Sequence, residues 1–195
     1  MRIIRQSAFT AAPWKNGGGI THEAIRVPAG GDPFRWRVSV AHIERSGPFS
    51  EFAAHNRTMV LLRGNGAALK FAGGEERCLS RVGDMTEFDG GVATQCELKS
   101  GPCVDLNLMT AKSLGAVRAE VRRFVAGLEL PAAPGSATLV FPIDAPAALR
   151  AGGEAAVLEA WDLAVVSHAA ESAYSLAPRD PAGPVLVFLA TLPDP

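Results

Sequence analysis

From Phe34 to Ile43 the chain reads FRWRVSVAHI, and its large apolar residues return at every second position. Trp36, Val38 and Val40 fall on one side of an extended chain while Arg35, Arg37, Ser39 and Ala41 fall on the other, which predicts a half-buried strand. Further strand-like runs occupy 20–27, 58–63, 67–71, 92–98 and 103–109, separated by turn signals such as GNG at 64–66, AGG at 72–74 and DGG at 89–91. Short strands at this spacing predict a sandwich or a barrel. Beyond residue 110, strands are expected at 137–143, 156–166 and 184–192, whereas RAEVRRFVAGLEL at 118–130 fits a strand or a short helix. The Pro- and Gly-rich stretches at 130–136 and 177–184 read as loops, and neither is long enough to link independent domains. The expected organisation is one compact all-β chain, residues 1–195, with a principal barrel over 1–125 and a smaller β unit over 126–195 packed on it.

Composition narrows the function more than the fold. The chain has 195 residues, enough to bury a real core, and 19 basic residues balance 20 acidic ones. A formal net charge of -1 supplies no whole-molecule attraction to nucleic acid or to anionic membranes, so any anionic ligand needs a local site. No apolar run reaches the length that spans a bilayer, and MRIIRQSAFT has only Ile3 and Ile4 as adjacent large apolar residues, short of a secretory signal. A cytoplasmic protein is expected. Cys78, Cys96 and Cys103 form no C-x-x-C pair and read as free thiols.

The candidate chemistry is concentrated in the first half. PWKNGGGITHE at 13–23 resembles a phosphate loop at first sight, but its Lys15 precedes the glycines and a strand follows them, the reverse of a P-loop. It reads as a turn that brings the backbone close and presents Trp14, Lys15 and Asn16, with Thr21 and Glu23 on one face of the next strand. On the 103–109 run, Cys103, Asp105, Asn107 and Met109 share one face and Val104, Leu106 and Leu108 the other. If the aliphatic face packs the core, Asp105 and Asn107 are solvated; if the mixed face lines a concavity, a carboxylate and an amide point into it. Arg57 and Lys15 are the natural anion holders, the first as a planar bidentate fork and the second as a point charge, although a salt bridge to Asp105 or Glu23 would employ them equally well. Arg37 faces an interior or an exposed sheet face. Trp14 and Trp36 offer flat walls for a planar ligand, or ordinary core packing. Phe49 and Phe52 are expected to pack under the loop after the 34–43 strand. No G-x-S-x-G elbow is present, and the histidines fall into neither H-x-H nor H-E-x-x-H spacing.

The glycines resemble the turn spacing of the cupin superfamily. Gly47 and Gly66 close its first motif and Gly83 and Gly91 mark its second, but Ala53, His55, Met59 and Thr94 stand where its metal ligands would fall. One imidazole cannot hold a cupin-type metal, so no metal and no cofactor are expected. A more specific resemblance is to the HutD/Ves family of bacterial cupin-fold proteins, carried by PWKNGGGITHE, WRVSVAHIERSGPFSEF at 36–52, Arg57, LLRGNG at 61–66 and GPCVDLNLM at 101–109. The chain departs from the family pattern at Ala53, Ala54, His55 and Asn56, just before Arg57.

This resemblance implies a bicupin-like fold, an antiparallel β-barrel or jelly roll with a second, smaller cupin-like unit. It favours the cavity reading of the 103–109 face. It further implies a metal-free binder of a small anionic metabolite of histidine utilisation, of the urocanate, formiminoglutamate or formylglutamate class, that limits or senses flux. The implied ligand-binding set is Trp14, Lys15, Asn16, Thr21, Glu23, Trp36, Arg57, Asp105 and Asn107. Two other readings stay open: a metal-independent isomerase or lyase using a carboxylate or His55 as base, and a homodimeric interaction protein.

Overall fold

The computed structural model describes residues 1–31, 33–170 and 172–193. Strands dominate; among the described residues the only helical segments are two 3-10 turns, Gln6–Ala8 and Lys112–Leu114. No helix among them is long and apolar enough to cross a membrane. Each expected strand of the first half is present, and Gly19–Val27, Trp36–Ile43, His55–Arg63, Ala67–Phe71, Thr94–Leu98 and Cys103–Ala111 lie within a few residues of the pattern that predicts them.

The chain forms two compact units. Phe9–Ala116 makes one, while Met1–Ala8 and Val117–Pro195 together make the other. In the first unit a six-stranded antiparallel sheet runs in the order Thr10–Pro13, Gly19–Val27, Trp36–Ile43, Cys103–Ala111, His55–Arg63, Met85–Asp89. A four-stranded sheet, Gly47–Pro48, Thr94–Leu98, Ala67–Phe71 and Glu76–Leu79, packs on it. Side chains from both sheets, including Met59 and Leu61 from one and Leu69, Leu79 and Cys96 from the other, meet in a common core. The register fixes which residues share a face: Asn107 pairs Ser39 and Met59, Met109 pairs Arg37 and Arg57, and Leu108 pairs Val38. One face therefore carries Arg37, Ser39, Arg57, Asn107 and Met109. The other carries Trp36, Val38, Val40, Leu106 and Leu108, all buried.

In the other unit a five-stranded sheet, ordered Arg2–Ile4, Leu163–His168, Ser136–Pro142, Val185–Pro193, Arg118–Phe124, joins a four-stranded sheet of Leu128–Ala132, Ser172–Pro178, Ala147–Ala151 and Glu154–Leu158. Its apolar core draws on both sheets.

Several features differ from the sequence reading, among them a strand at Leu128–Ala132 where 130–136 reads as a loop. The boundary falls at Ala116 rather than near residue 125, because Arg118–Phe124 pairs with Val185–Pro193. The N-terminal Arg2–Ile4 also belongs to this second unit, through Leu163–Val165. Both are edge strands with a single partner, so their apolar alternation is weak. Finally, the run 156–166 is two strands separated at Glu159–Asp162, where the buried Asp162 carboxylate accepts from Gln6 N, Glu159 N and Arg5 Nη1 and Trp161 takes a positive φ of 72°.

Candidate functional site

The glycine run shapes one wall of a cavity. Trp14 N donates to Gly19 O (2.9 Å) and Gly17 N to Trp14 O (3.0 Å), closing a tight turn, and Gly18 N donates to Asn16 Oδ1 (3.0 Å). Gly17 has a φ of 65°, and a Cβ at Gly19 would stand 2.3 Å from the carbonyl oxygen of His42. The turn is thus pinned on the neighbouring strand, and only glycine allows both the conformation and the approach. Trp14 is fixed in turn by a 2.7 Å hydrogen bond from Nε1 to Thr21 Oγ1 and by edge contact with Phe49 at 6.2 Å.

Behind the turn, a register shift between Glu23 and Ile25 sets the next layer. Strict alternation from Thr21 and Glu23 would point Ile25 inward and Arg26 outward. The bulge instead pairs Ile25 with Val38 and Arg26 with Arg37, so Arg26 joins Glu23 on the cavity face. Arg26 Nη2 lies 2.9 Å from Glu23 Oε2 and Arg37 Nη1 4.0 Å from it. Both guanidiniums stack on Phe34, at 5.1 and 5.4 Å, and Arg37 also on Phe52 at 5.4 Å.

Arg57, only 6% exposed, sits at the inner end. Its Nε and Nη2 donate to Asn107 Oδ1 (3.1 and 2.8 Å), leaving Nη1 without a hydrogen bond among the described residues. Phe49 and Phe88 flank its guanidinium at 4.8 and 5.1 Å. Asn107 Nδ2 donates onward to Asp105 Oδ2, so a buried chain runs from arginine through amide to carboxylate. Burial pushes the Arg57 guanidinium down to about 10 against the pull of Asp105, which leaves it charged at neutral pH. Burial also pushes the Asp105 carboxyl up to about 7, outweighing Arg57 and the Asn107 hydrogen bond. Asp105 Oδ1 accepts no hydrogen bond among the described residues.

These groups enclose about 460 Å³. Lys15, Arg26, Arg37 and Arg57 line it against one carboxylate, Glu23, and aromatic walls come from Trp14, Phe49 and Phe52. A mostly apolar concavity with several fixed cations is suited to a small organic anion, which arginine forks grip in a plane.

Seven of the nine expected ligand-binding residues meet there: Trp14, Lys15, Asn16, Thr21, Glu23, Arg57 and Asn107. Two do not. Trp36 is fully buried on the opposite sheet face with Val38 and Val40, because it alternates with the cavity-lining Arg37 and Ser39. Asp105 shares the cavity's sheet face but lies beneath Asn107 and does not line the space. Arg26 escapes the sequence reading because a bulge leaves no mark in the apolar alternation. Phe49 and Phe52 are themselves walls, and Met109 lines the space while accepting from Arg37 Nη2 through its sulfur at 3.2 Å.

His55, the one residue matching a cupin ligand position, is 5% exposed; its Nε2 lies 2.9 Å from Phe34 O and its ring stacks on Phe34 at 4.0 Å. Among the described residues no three His, Cys, Asp or Glu side chains converge in a way that could hold a metal ion.

A family model described as HutD matches residues 6–182. An uncharacterized 21.2 kDa protein in the hutC 3' region of Pseudomonas putida is 39% identical over 112 residues, 57% of this chain and 58% of that protein. Protein Ves of Citrobacter koseri is 34% identical over 100 residues, 51% of this chain and 52% of Ves. The chain thus spans only a little over half the length of these curated relatives. Among solved structures, the conserved protein PA5104 of Pseudomonas aeruginosa PAO1 is similar with a TM-score of 0.88 at 29% identity, covering 100% of this chain and 98% of that one. HutD of Pseudomonas fluorescens SBW25, in a formate condition, has a TM-score of 0.78 at 27% identity, with 97% of each chain covered. Oxalate decarboxylase of Bacillus subtilis reaches 0.64 at 11% identity over 100% of this chain and 77% of its own, a likeness of fold that places the architecture with the bicupins.

Proposed function

Because the chain belongs to the HutD family, we propose that its Phe9–Ala116 barrel binds a small anionic metabolite of histidine utilisation and acts as a regulator or flux limiter of that pathway. The observation that carries this reading is the four-to-one excess of cations over carboxylates around one aromatic-walled cavity, with Arg57 rigidly held and its Nη1 left unbonded. The location of a relative in the hutC 3' region supports a ligand of that pathway. Arg57 receives a carboxylate, Arg26, Arg37 and Lys15 balance a second anionic group, and Trp14, Phe49 and Phe52 cover the ligand's apolar body.

A binder fits these groups better than a base-driven enzyme. Glu23 is the one carboxylate among the lining residues and is engaged by Arg26 and Arg37, and the His55 imidazole is committed to Phe34 O. The test is a thermal-shift screen of urocanate, formiminoglutamate and formylglutamate on the wild type and on Arg57→Ala. Stabilisation by one of them that disappears in the variant is the expected result; stabilisation that survives it removes Arg57 from the site. Turnover of any of the three, followed by ultraviolet absorbance or NMR, overturns the binder reading.

A further inference from the structure

Asp105 needs an explanation that ligand contact does not give. It is fully buried, it lies beneath the cavity lining, and Oδ1 has no hydrogen-bond donor among the described residues. A permanently ionised carboxylate so placed is costly unless its charge is matched, and its one cationic partner, Arg57, reaches it through the Asn107 amide. When ionised, Asp105 is the negative charge that Arg57 compensates. An anion seated on Arg57 replaces it in that role, and two negative charges then compete for one buried guanidinium.

We propose that Asp105 is a proton-coupled positioning residue of the anion site: when an anion docks on Arg57, an ionised Asp105 takes up a proton at Oδ1 from the bulk buffer. This rests on the anion-binding reading above. The hydrogen-bond chain survives the change, because Asn107 Nδ2 donates to Oδ2 whether or not Oδ1 is protonated, so Asn107 keeps its amide orientation and Arg57 its angle. Protonation converts Asp105 from a rival of the ligand into a neutral support.

Five strands, its own included, carry the titratable or charged groups around Asp105. Cys103 on its own strand and Cys96 from Thr94–Leu98 are buried thiols pushed up to about 12, neutral across the relevant range. Arg57 and His55 come from His55–Arg63; Leu61 of that strand pairs Asp105, and His55 stands six residues away beside Ala111. Trp36–Ile43 contributes Arg37, and Gly19–Val27 contributes Glu23 and Arg26, which are paired. The carboxyl of Asp105, pushed up to about 7 by burial, is the group whose ionisation an added charge shifts within the physiological range.

Isothermal titration of the full chain with N-formyl-L-glutamate in PIPES and in Tris tests the coupling, since both carboxyls of this probe are ionised at neutral pH and bring no proton. The expected result is a heat that depends on the buffer with the sign of proton uptake, and a Kd that tightens about tenfold from pH 8.5 to 6.5. Asp105→Asn, isosteric and uncharged, binds with a Kd that no longer follows pH and a heat that no longer follows the buffer. Buffer-independent heat in the wild type, or proton uptake that persists in Asp105→Asn, overturns the proposal while leaving the anion site intact. Absence of binding overturns the anion-site reading and the proposal together. Should Asp105→Asn fail to fold, carboxyl carbon NMR of the wild type reads the same coupling. One aspartate titrating near neutrality moves to higher pH at ligand saturation, and an unmoved midpoint contradicts the proposal.

Discussion

The two β units solve one architectural problem with different interiors. Between the sheets of the unit built from Met1–Ala8 and Val117–Pro195, aliphatic side chains such as Val140, Leu149, Val166, Leu176, Val187 and Leu189 fill the core. Between those of Phe9–Ala116, an aliphatic core formed by residues such as Met59, Leu61, Leu69 and Leu79 is joined by a cavity lined by Arg26, Arg37 and Arg57. The polar groups on the inward faces of the former are satisfied among themselves, as where Thr138 Oγ1 lies 3.0 Å from His168 Nε2 beside Val166. Placing arginines at inward positions creates space that must be satisfied by hydrogen bonds, aromatic faces or a ligand, and this chain uses the first two to hold the site ready for the third.

The largest expected contrast is in stability. Leu149→Ala, in the filled barrel, should cost about 2–5 kcal/mol in urea unfolding, because the void it leaves has no access to solvent. Met109→Ala, bordering the open cavity, should cost about 1–2 kcal/mol, since water can enter the space it vacates. Equal costs would break the distinction between a filled and an open barrel. Next in size is the effect on binding: Arg57→Met should weaken N-formyl-L-glutamate about 10–100-fold by isothermal titration while the fold persists, the loss expected for a charged hydrogen-bonding group. The same substitution in a mere structural prop would change stability and leave the Kd alone.

Proton linkage offers a third probe. The folded-state pKa of Asp105 lies above its unfolded value of 3.8, so between about pH 4 and 7 the native chain holds a proton that the unfolded chain has released. Its stabilising contribution is present at low pH and is lost as pH rises toward 7. Asp105→Asn should therefore gain stability relative to wild type across that window and hold the gain above it. A constant difference from pH 4 to 8 would contradict the burial account of this carboxyl. The smallest effect is expected at the rim, where Thr21→Val removes the acceptor of Trp14 Nε1 and should weaken ligand binding by about 1 kcal/mol in the same titration.

Much of this arrangement is legible in the sequence, for physical reasons that also mark where it stops. Period-two alternation sets the register of FRWRVSVAHI and CVDLNLM and places Ser39 and Asn107 on one side, although both strands prove buried on both faces rather than half-buried. The same rule, followed strictly, sets Trp36 opposite Arg37; the expectation of Trp36 as a pocket wall fails because an aromatic was weighed by its chemistry rather than by its parity. Arg26 is invisible because the bulge at Ala24 is a backbone event. Asp105 has the right parity but not the right depth, since sequence gives the face of a side chain and not how far the residues around it reach. The second unit is harder to read because its edge strands, Arg2–Ile4 and Arg118–Phe124, carry arginines where an inner strand carries valines.

The central claim is that the open barrel is a site for a small organic anion held by Arg57. A crystal structure of the chain saturated with N-formyl-L-glutamate tests it most directly. The expected result is a carboxylate within hydrogen-bond distance of the Arg57 guanidinium, with the second carboxylate toward Arg26 and Arg37. A cavity without ligand at saturation, or a ligand bound elsewhere on the molecule, would contradict it.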